Sequence, residues 1–284
     1  MKPQIDNIIM SNMLLWLDNQ ILSKGEAFTN YSGNFYPVDS LVNGFYTYSL
    51  PFKQVVADKS ITGASLMSGV YLNGTYIAPG TSGFSGINPN VGYAFFSSDP
   101  AGSGISGNYA VKDFNIYLTS LAEEQLIFET KFEINPKVTQ NPTGISTSAL
   151  TYPAIFLKNN GGQNKPFALG GEDETLTQVR AIVMADNLFS LDAVCSILRD
   201  TVRKNMPLIS QVNMPFDNYG ITKNNNFNYI NLVSGIANPN LIYIKSVNVS
   251  KIIPYRYEYQ NNVNPEIFSA FVDFELSDFR YPHA

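Results

Sequence analysis

TLTQVRAIVMADNLFSLDAVCSILRDTVRKNM, residues 175–206, decides the fold, because it reads as a strand that feeds directly into a helix. Val179, Ala181 and Val183 alternate with Arg180, Ile182 and Met184, the period-two pattern of a strand whose faces differ. A turn is expected over residues 186–189, with Ser190 as N-cap and Asp192 as negative charge near the positive end of the helix dipole. Leu191, Val194, Cys195, Leu198 and Val202 recur at helical spacing and form one apolar stripe. Arg199, Arg203 and Lys204 follow near the C-terminal end, and Asn205 and Pro207 are expected to stop the helix, which therefore spans residues 190–206.

Nearer the N-terminus, residues 8–22 place Ile9, Met13, Leu14, Trp16, Leu17 and Ile21 at helical spacing, with an end expected near Lys24-Gly25. From residue 31 to 118 the chain is rich in Tyr, Phe and Gly and reads as short strands. Asn73-Gly74, between Val70-Tyr71-Leu72 and Thr75-Tyr76-Ile77, is a strong hairpin signal, since a tight turn needs positive φ at both central residues. Residues 109–118 predict one long strand that changes face near Lys112-Asp113. Residues 121–134 begin with a helical pattern and are expected to turn strand-like from Leu126. Residues 135–151 lack periodicity and predict a loop or arm.

Beyond the arm, residues 154–157 predict an apolar strand, followed by a loop tip over residues 159–164 that contains Asn159 and Asn160. After Pro207 the chain is Asn-rich until an apolar run at 227–233. Residues 241–249 and 252–259 predict a hairpin. In the last strand Phe268, Ala270, Val272, Phe274 and Leu276 share one face. The fold class that follows is α+β and β-rich: an N-terminal antiparallel β unit, then a C-terminal mixed or antiparallel sheet packed by one main helix, 190–206. The expected organisation is a helical and β-rich domain over 1–134, an arm over 135–151 and an α+β assembly domain over 152–284.

Catalytic chemistry finds little to stand on. The one histidine is His283, beside the C-terminus, so a histidine-based nucleophilic relay lacks an anchored base. One Cys and one His cannot build a zinc site, and Glu172, Asp173 and Glu174 are adjacent rather than alternating, unlike a calcium loop. Asp273 with Glu275, or Glu123 with Glu124, are the carboxylate pairs open to glycoside hydrolysis; the first would lie about 7 Å apart on one strand face, an ordinary arrangement for a wet surface. Gly170-Gly171 matches no phosphate-binding spacing. No enzyme, cofactor or metal is expected, and Cys195 is expected to be a buried, inert thiol.

Composition points instead to assembly. Only 14% of residues are charged, so little charge repulsion keeps copies apart, and a net charge of −5 argues against coating nucleic acid. Neither a membrane span nor a basic membrane-binding surface is expected. The expected function therefore lies in subunit contacts, with Arg199 and Arg203 on the helix and Asn159 and Asn160 in the loop as candidates.

Two sets of segments carry a resemblance. VYLNGTYIAPGTSGFSG (70–86) and ISGNYAVKDFNIYL (105–118) resemble strand-turn-strand pieces of tailed-bacteriophage virion proteins. TQVRAIVMADNLFSLDAVCSILRDTVRKNMPL (177–208), followed by IFSAFVDFELSDFR (267–280), resembles the layout of phage tail-terminator and neck proteins. The resemblance covers about half the chain and is one of layout. It implies a structural protein of the viral tail or head-tail connector in which a strand leads into a helix packed on a sheet, and copies form a homo-oligomeric ring, a hexamer being one candidate order. It also implies neighbouring virion proteins as partners, DNA passing without specific binding, and location in the virion after assembly in the host cytoplasm. The alternative is a tail-fibre, baseplate or adhesin-type module that binds glycans.

Overall fold

The computed structural model describes residues 4–39, 41–100, 104–129, 152–216, 226–236, 240–252 and 267–282. The expected arm at 135–151, the second half of the expected hairpin at 252–259 (beyond Ile252) and His283 lie outside the described residues. The fold is α+β and strand-rich, with two antiparallel sheets and one mixed sheet packed against helices.

The chain opens with α1 (Ile5–Gly25), which buries Ile9, Met13, Trp16, Leu17 and Ile21. It then builds a β unit from β1 (Phe28–Asn34), β2 (Tyr36–Pro37), β3 (Tyr46–Ser49), β4 (Val70–Leu72), β5 (Thr75–Ile77), β6 (Phe84–Asn88), β7 (Tyr93–Phe96) and β8 (Ile105–Lys112). Strand order is β1-β8-β4-β5 in one sheet and β2-β3-β7-β6 in the other. Phe84, Phe96, Val70, Ile105 and Tyr109 fill the core they share. The Asn73-Gly74 hairpin forms as expected: Leu72 pairs with Thr75, and φ is 49° at Asn73 and 82° at Gly74.

The expected long strand at 109–118 is two strands. Asp113 donates its amide to the Ala27 carbonyl, Phe114 is buried, and β9 (Asn115–Leu118) leaves the β unit to run parallel to β10 (Ala154–Ala168) in the larger sheet. Burial of Phe114 beneath α1 turns the expected change of face into a change of sheet.

That larger sheet has the order β12-β13-β14-β11-β10-β9, with β11 (Glu172–Ala185), β12 (Asn205–Pro207), β13 (Leu241–Ile252) and β14 (Phe268–Arg280). One face carries Val179, Ala181, Val183, Ala270, Val272, Phe274 and Leu276 against both α1 and α2 (Leu188–Arg199), so two helices cover the sheet where one was expected. The other face buries Ile182, Met184 and Phe156 beneath Leu126. Leu126 belongs to a π-helical turn, Gln125–Glu129, and not to the expected strand: the Leu126 amide reaches back to the Ala122 carbonyl, letting its side chain plug the sheet.

α2 is shifted from its expected bounds. Asn187 is the N-cap, its side chain accepting from the Ser190 amide at 2.8 Å, so the first turn starts before Ser190. The helix ends at Arg199 and not at 206. Buried Thr201 donates to the Leu198 carbonyl, Arg203 takes φ +62°, and Met206 is drawn under the sheet edge as β12 pairs with β13. Pro207 lacks a donor and sits on an edge strand, where that is tolerated. Val202 consequently faces outward instead of joining the apolar stripe.

Residues 159–164 also differ from expectation. They are not a loop tip but part of β10, which pairs with β11 through Ala168 across a bulge between Asn159 and Gly162. A Cβ on Gly162 would lie 2.3 Å from the Leu176 carbonyl oxygen, so the close approach at that bulge depends on glycine. The run at 227–233 contains a short helix, α3 (Tyr229–Ser234), and β13 finds its partner in β14. Cys195 is buried, as expected.

Candidate subunit-contact surface

Arg199 lies at the end of α2 with its side chain 64% exposed, its nearest carboxylate being Asp200 at 3.9 Å. Arg203 is exposed at the sheet edge, where its amide donates to Ile244 and the Ile244 amide donates to the Lys204 carbonyl. Asn159 is half-buried, its side chain accepting from the Gly161 amide at 2.7 Å, and Asn160 is exposed. Arg203 and the pair Asn159 and Asn160 therefore lie on opposite sides of the six-stranded sheet, while Arg199 ends the helix that covers its face.

Register places the two sides level. Arg203 and Lys204 bracket Ile244; Ile244 pairs with Leu276, Leu276 with Thr177, and Thr177 with Gly162, two residues past Asn160. Four interstrand spacings of about 4.8 Å separate them, or about 19 Å.

Both edges are open among the described residues. β9 covers β10 only along Ala154–Leu157, leaving residues 158–168 paired on one side, and β12 covers only the start of β13. Lys158, Lys165 and Pro166 on the β10 edge discourage indiscriminate strand addition. The β10–β11 hairpin extends outward to an apolar and acidic end: Leu169 is fully exposed, Phe167 stacks edge-on against Phe279, and Glu172 follows the turn.

Beside Arg203, Lys204 is a feature no periodicity could have revealed. Its ammonium nitrogen is buried without a hydrogen-bond partner, and the Lys24 ammonium from the last turn of α1 stands within hydrogen-bonding reach. Burial first, and the close approach of the Lys24 ammonium second, push the Lys204 amine down to about 8.

Three of the four carboxylates open to hydrolysis, Asp273, Glu275 and Glu123, face cations. Arg180 donates from Nε to Asp273 Oδ1 at 2.6 Å, from Nη2 to Asp273 Oδ2 at 3.0 Å and from Nη1 to Glu123 Oε1 at 2.8 Å, while its guanidinium lies 4.9 Å from the centre of the Phe271 ring. Glu275 faces Lys245 at 3.9 Å. Asp273 and Glu123, 150 residues apart in number, meet on one arginine as a structural clasp that holds the π-helical turn to the sheet. Among the described residues no group of three or more His, Cys, Asp or Glu side chains could hold a metal ion, and no helix is long and apolar enough to cross a membrane. The adjacent acids Glu172, Asp173 and Glu174 begin β11: Asp173 is buried, and Glu174 accepts from Lys245 at 3.1 Å and Ser277 at 2.8 Å.

No protein-family model matches the chain, and no curated protein matches it in sequence.

Proposed function

We propose that this chain is a structural subunit of a phage virion that assembles head to tail into a ring at the head-tail junction, as a tail-terminator or neck protein. The observation that carries the reading is the level placement of two exposed segments on opposite sides of one sheet, Asn160-Gly162 on one and Arg203-Lys204 on the other. A head-to-tail contact closes into a ring only if successive copies are related by pure rotation; an offset along the axis gives a filament. Segments at one height meet that condition for an axis running along the strands. The small share of charged residues and the exposed apolar hairpin end favour burial between copies. The strand-helix-sheet layout of β11, α2 and β14 supports the position in the virion through its resemblance to neck proteins.

The test is the native mass of the purified chain together with immunogold labelling of particles. A ring-sized species and label at the neck are expected. A monomer absent from particles overturns the reading, and label on fibres or baseplate replaces it with the glycan-binding alternative.

A further inference from the structure

The sequence contains three Asn-Gly pairs, Asn43-Gly44, Asn73-Gly74 and Asn160-Gly161. Such a pair can modify itself, because glycine has no side chain to obstruct its amide nitrogen, which can attack the preceding Asn side chain. A bond forms from the Gly nitrogen to Asn Cγ, the side-chain Cγ–N bond breaks, and ammonia leaves carrying the amide proton, so a succinimide ring remains. Water then opens the ring at either carbonyl and gives aspartate or isoaspartate, with no oxidant or cofactor. The step needs a Gly amide that no acceptor holds, an Asn side chain free to turn, and a backbone that can leave its resting conformation. All three asparagines are exposed, so exposure does not separate them. Their restraints do.

At Asn73 the side chain is held: its Oδ1 accepts from the Gly104 amide at 2.8 Å, and the Asn73 amide donates to the Gly104 carbonyl at 2.9 Å. Val70 with Ile77, Tyr71 with Tyr76 and Leu72 with Thr75 clamp the same turn. At Asn160 the nucleophile is held instead, because Gly161 donates its amide to Asn159 Oδ1 at 2.7 Å, and pairs to β11 flank the site at Asn159 and Gly162. Asn43-Gly44 has neither restraint. Among the described residues no hydrogen bond holds the Asn43 side chain or the Gly44 amide, and a Cβ on Gly44 would meet nothing within 4 Å. Val42 and Phe45 close this turn through an isolated bridge outside any strand. Opening it breaks one pair rather than a ladder, and local opening sets how often the reactive geometry is reached.

We infer that Asn43 is the site of spontaneous deamidation among these pairs, and that the fold protects the other two through Gly104 and Asn159. The inference stands apart from the ring reading. Conversion places a carboxylate between exposed Leu41 and Phe45. Isoaspartate also lengthens the backbone of a turn that now closes with φ of 52° at Asn43 and 83° at Gly44. Phe45, which packs edge-on against Phe95 with ring centres 6.1 Å apart, is the first contact to loosen.

Peptide mapping by mass spectrometry tests it, on the full chain incubated at mildly alkaline pH with and without urea. In the folded chain, conversion at position 43 is expected to run about tenfold or more faster than at 73 or 160. In urea the three rates are expected to converge, since each Asn is followed by Gly and the restraints are gone. Equal rates in the folded chain, a faster rate at 73 or 160, or no conversion at 43 overturns the inference. A preference for 43 that persists unchanged in urea places the selection in the flanking sequence and overturns it as well. Asn159→Ala, with folding confirmed by circular dichroism, frees the Gly161 amide and is expected to speed conversion at 160 while leaving 43 unchanged. Failure to speed it overturns the protection assigned to Asn159.

Discussion

Arg180 on β11 and Asp273 on β14 sit directly opposite each other in the sheet register and are joined by two hydrogen bonds, at 2.6 and 3.0 Å. The pair is half-buried, and the arginine also holds Glu123 and lies over Phe271. Arg180→Met strands two carboxylates, whereas Asp273→Asn keeps one acceptor in place. The first is expected to destabilise by about 2 kcal/mol and the second by about 1 kcal/mol, between the values for exposed and buried pairs. Urea unfolding of the two variants checks the order; equal losses would show that the clasp to Glu123 carries nothing.

Asn12, buried in α1, treats the backbone of Ile209 as a strand partner: its amide nitrogen donates to the Ile209 carbonyl at 3.1 Å, and its oxygen accepts from the Ile209 amide at 2.7 Å. Asn12→Ala leaves both groups buried and unpaired, at a cost of about 1–3 kcal/mol. Hydrogen exchange at the Ile209 amide should accelerate in step with that loss. Unchanged protection would mean that the contact is not what orders the segment.

Asp278 is buried on β14 with one carboxylate oxygen lacking a partner, and burial raises its carboxyl above the usual 3.8 despite the opposing charge of Arg280. A carboxyl raised in the folded state favours folding most when protonated. Its contribution is complete below the unfolded value of 3.8 and is lost as pH rises through the raised folded value. Asp278→Asn is therefore expected to raise the melting temperature at neutral pH and to give little gain near pH 3. Thermal melts across that range decide, and a loss of stability at neutral pH would contradict the assignment.

Lys204 gives the opposite sign at the alkaline end. Its amine is pushed down to about 8 in the folded chain against 10.5 unfolded, so the fold prefers the neutral form. Stability is lowest below pH 8 and rises as pH climbs from about 8 to 10.5. Lys204→Met should remove that rise and stabilise the chain at neutral pH.

Periodicity and turn chemistry determined by themselves the two-faced strand at β11, the buried face of β14, the existence of α1, the Asn73-Gly74 hairpin and the inward position of Cys195. Each depends on neighbours within a few residues, where side-chain spacing or backbone φ leaves one inexpensive solution. Tertiary structure alone decided where α2 stops, where β8 ends and β9 begins, how far β10 extends, and which carboxylate Arg180 holds. Met206 is drawn into an edge strand by β13, Phe114 is buried under α1, β10 continues because β11 supplies its ladder, and Asp273 arrives from 93 residues away. Local propensity is worth a few tenths of a kcal/mol per residue, less than burying one such side chain, so the distant partner prevails. For the same reason Arg203 and Asn160 were legible as exposed polar residues, while their level placement on opposite edges required the assembled sheet.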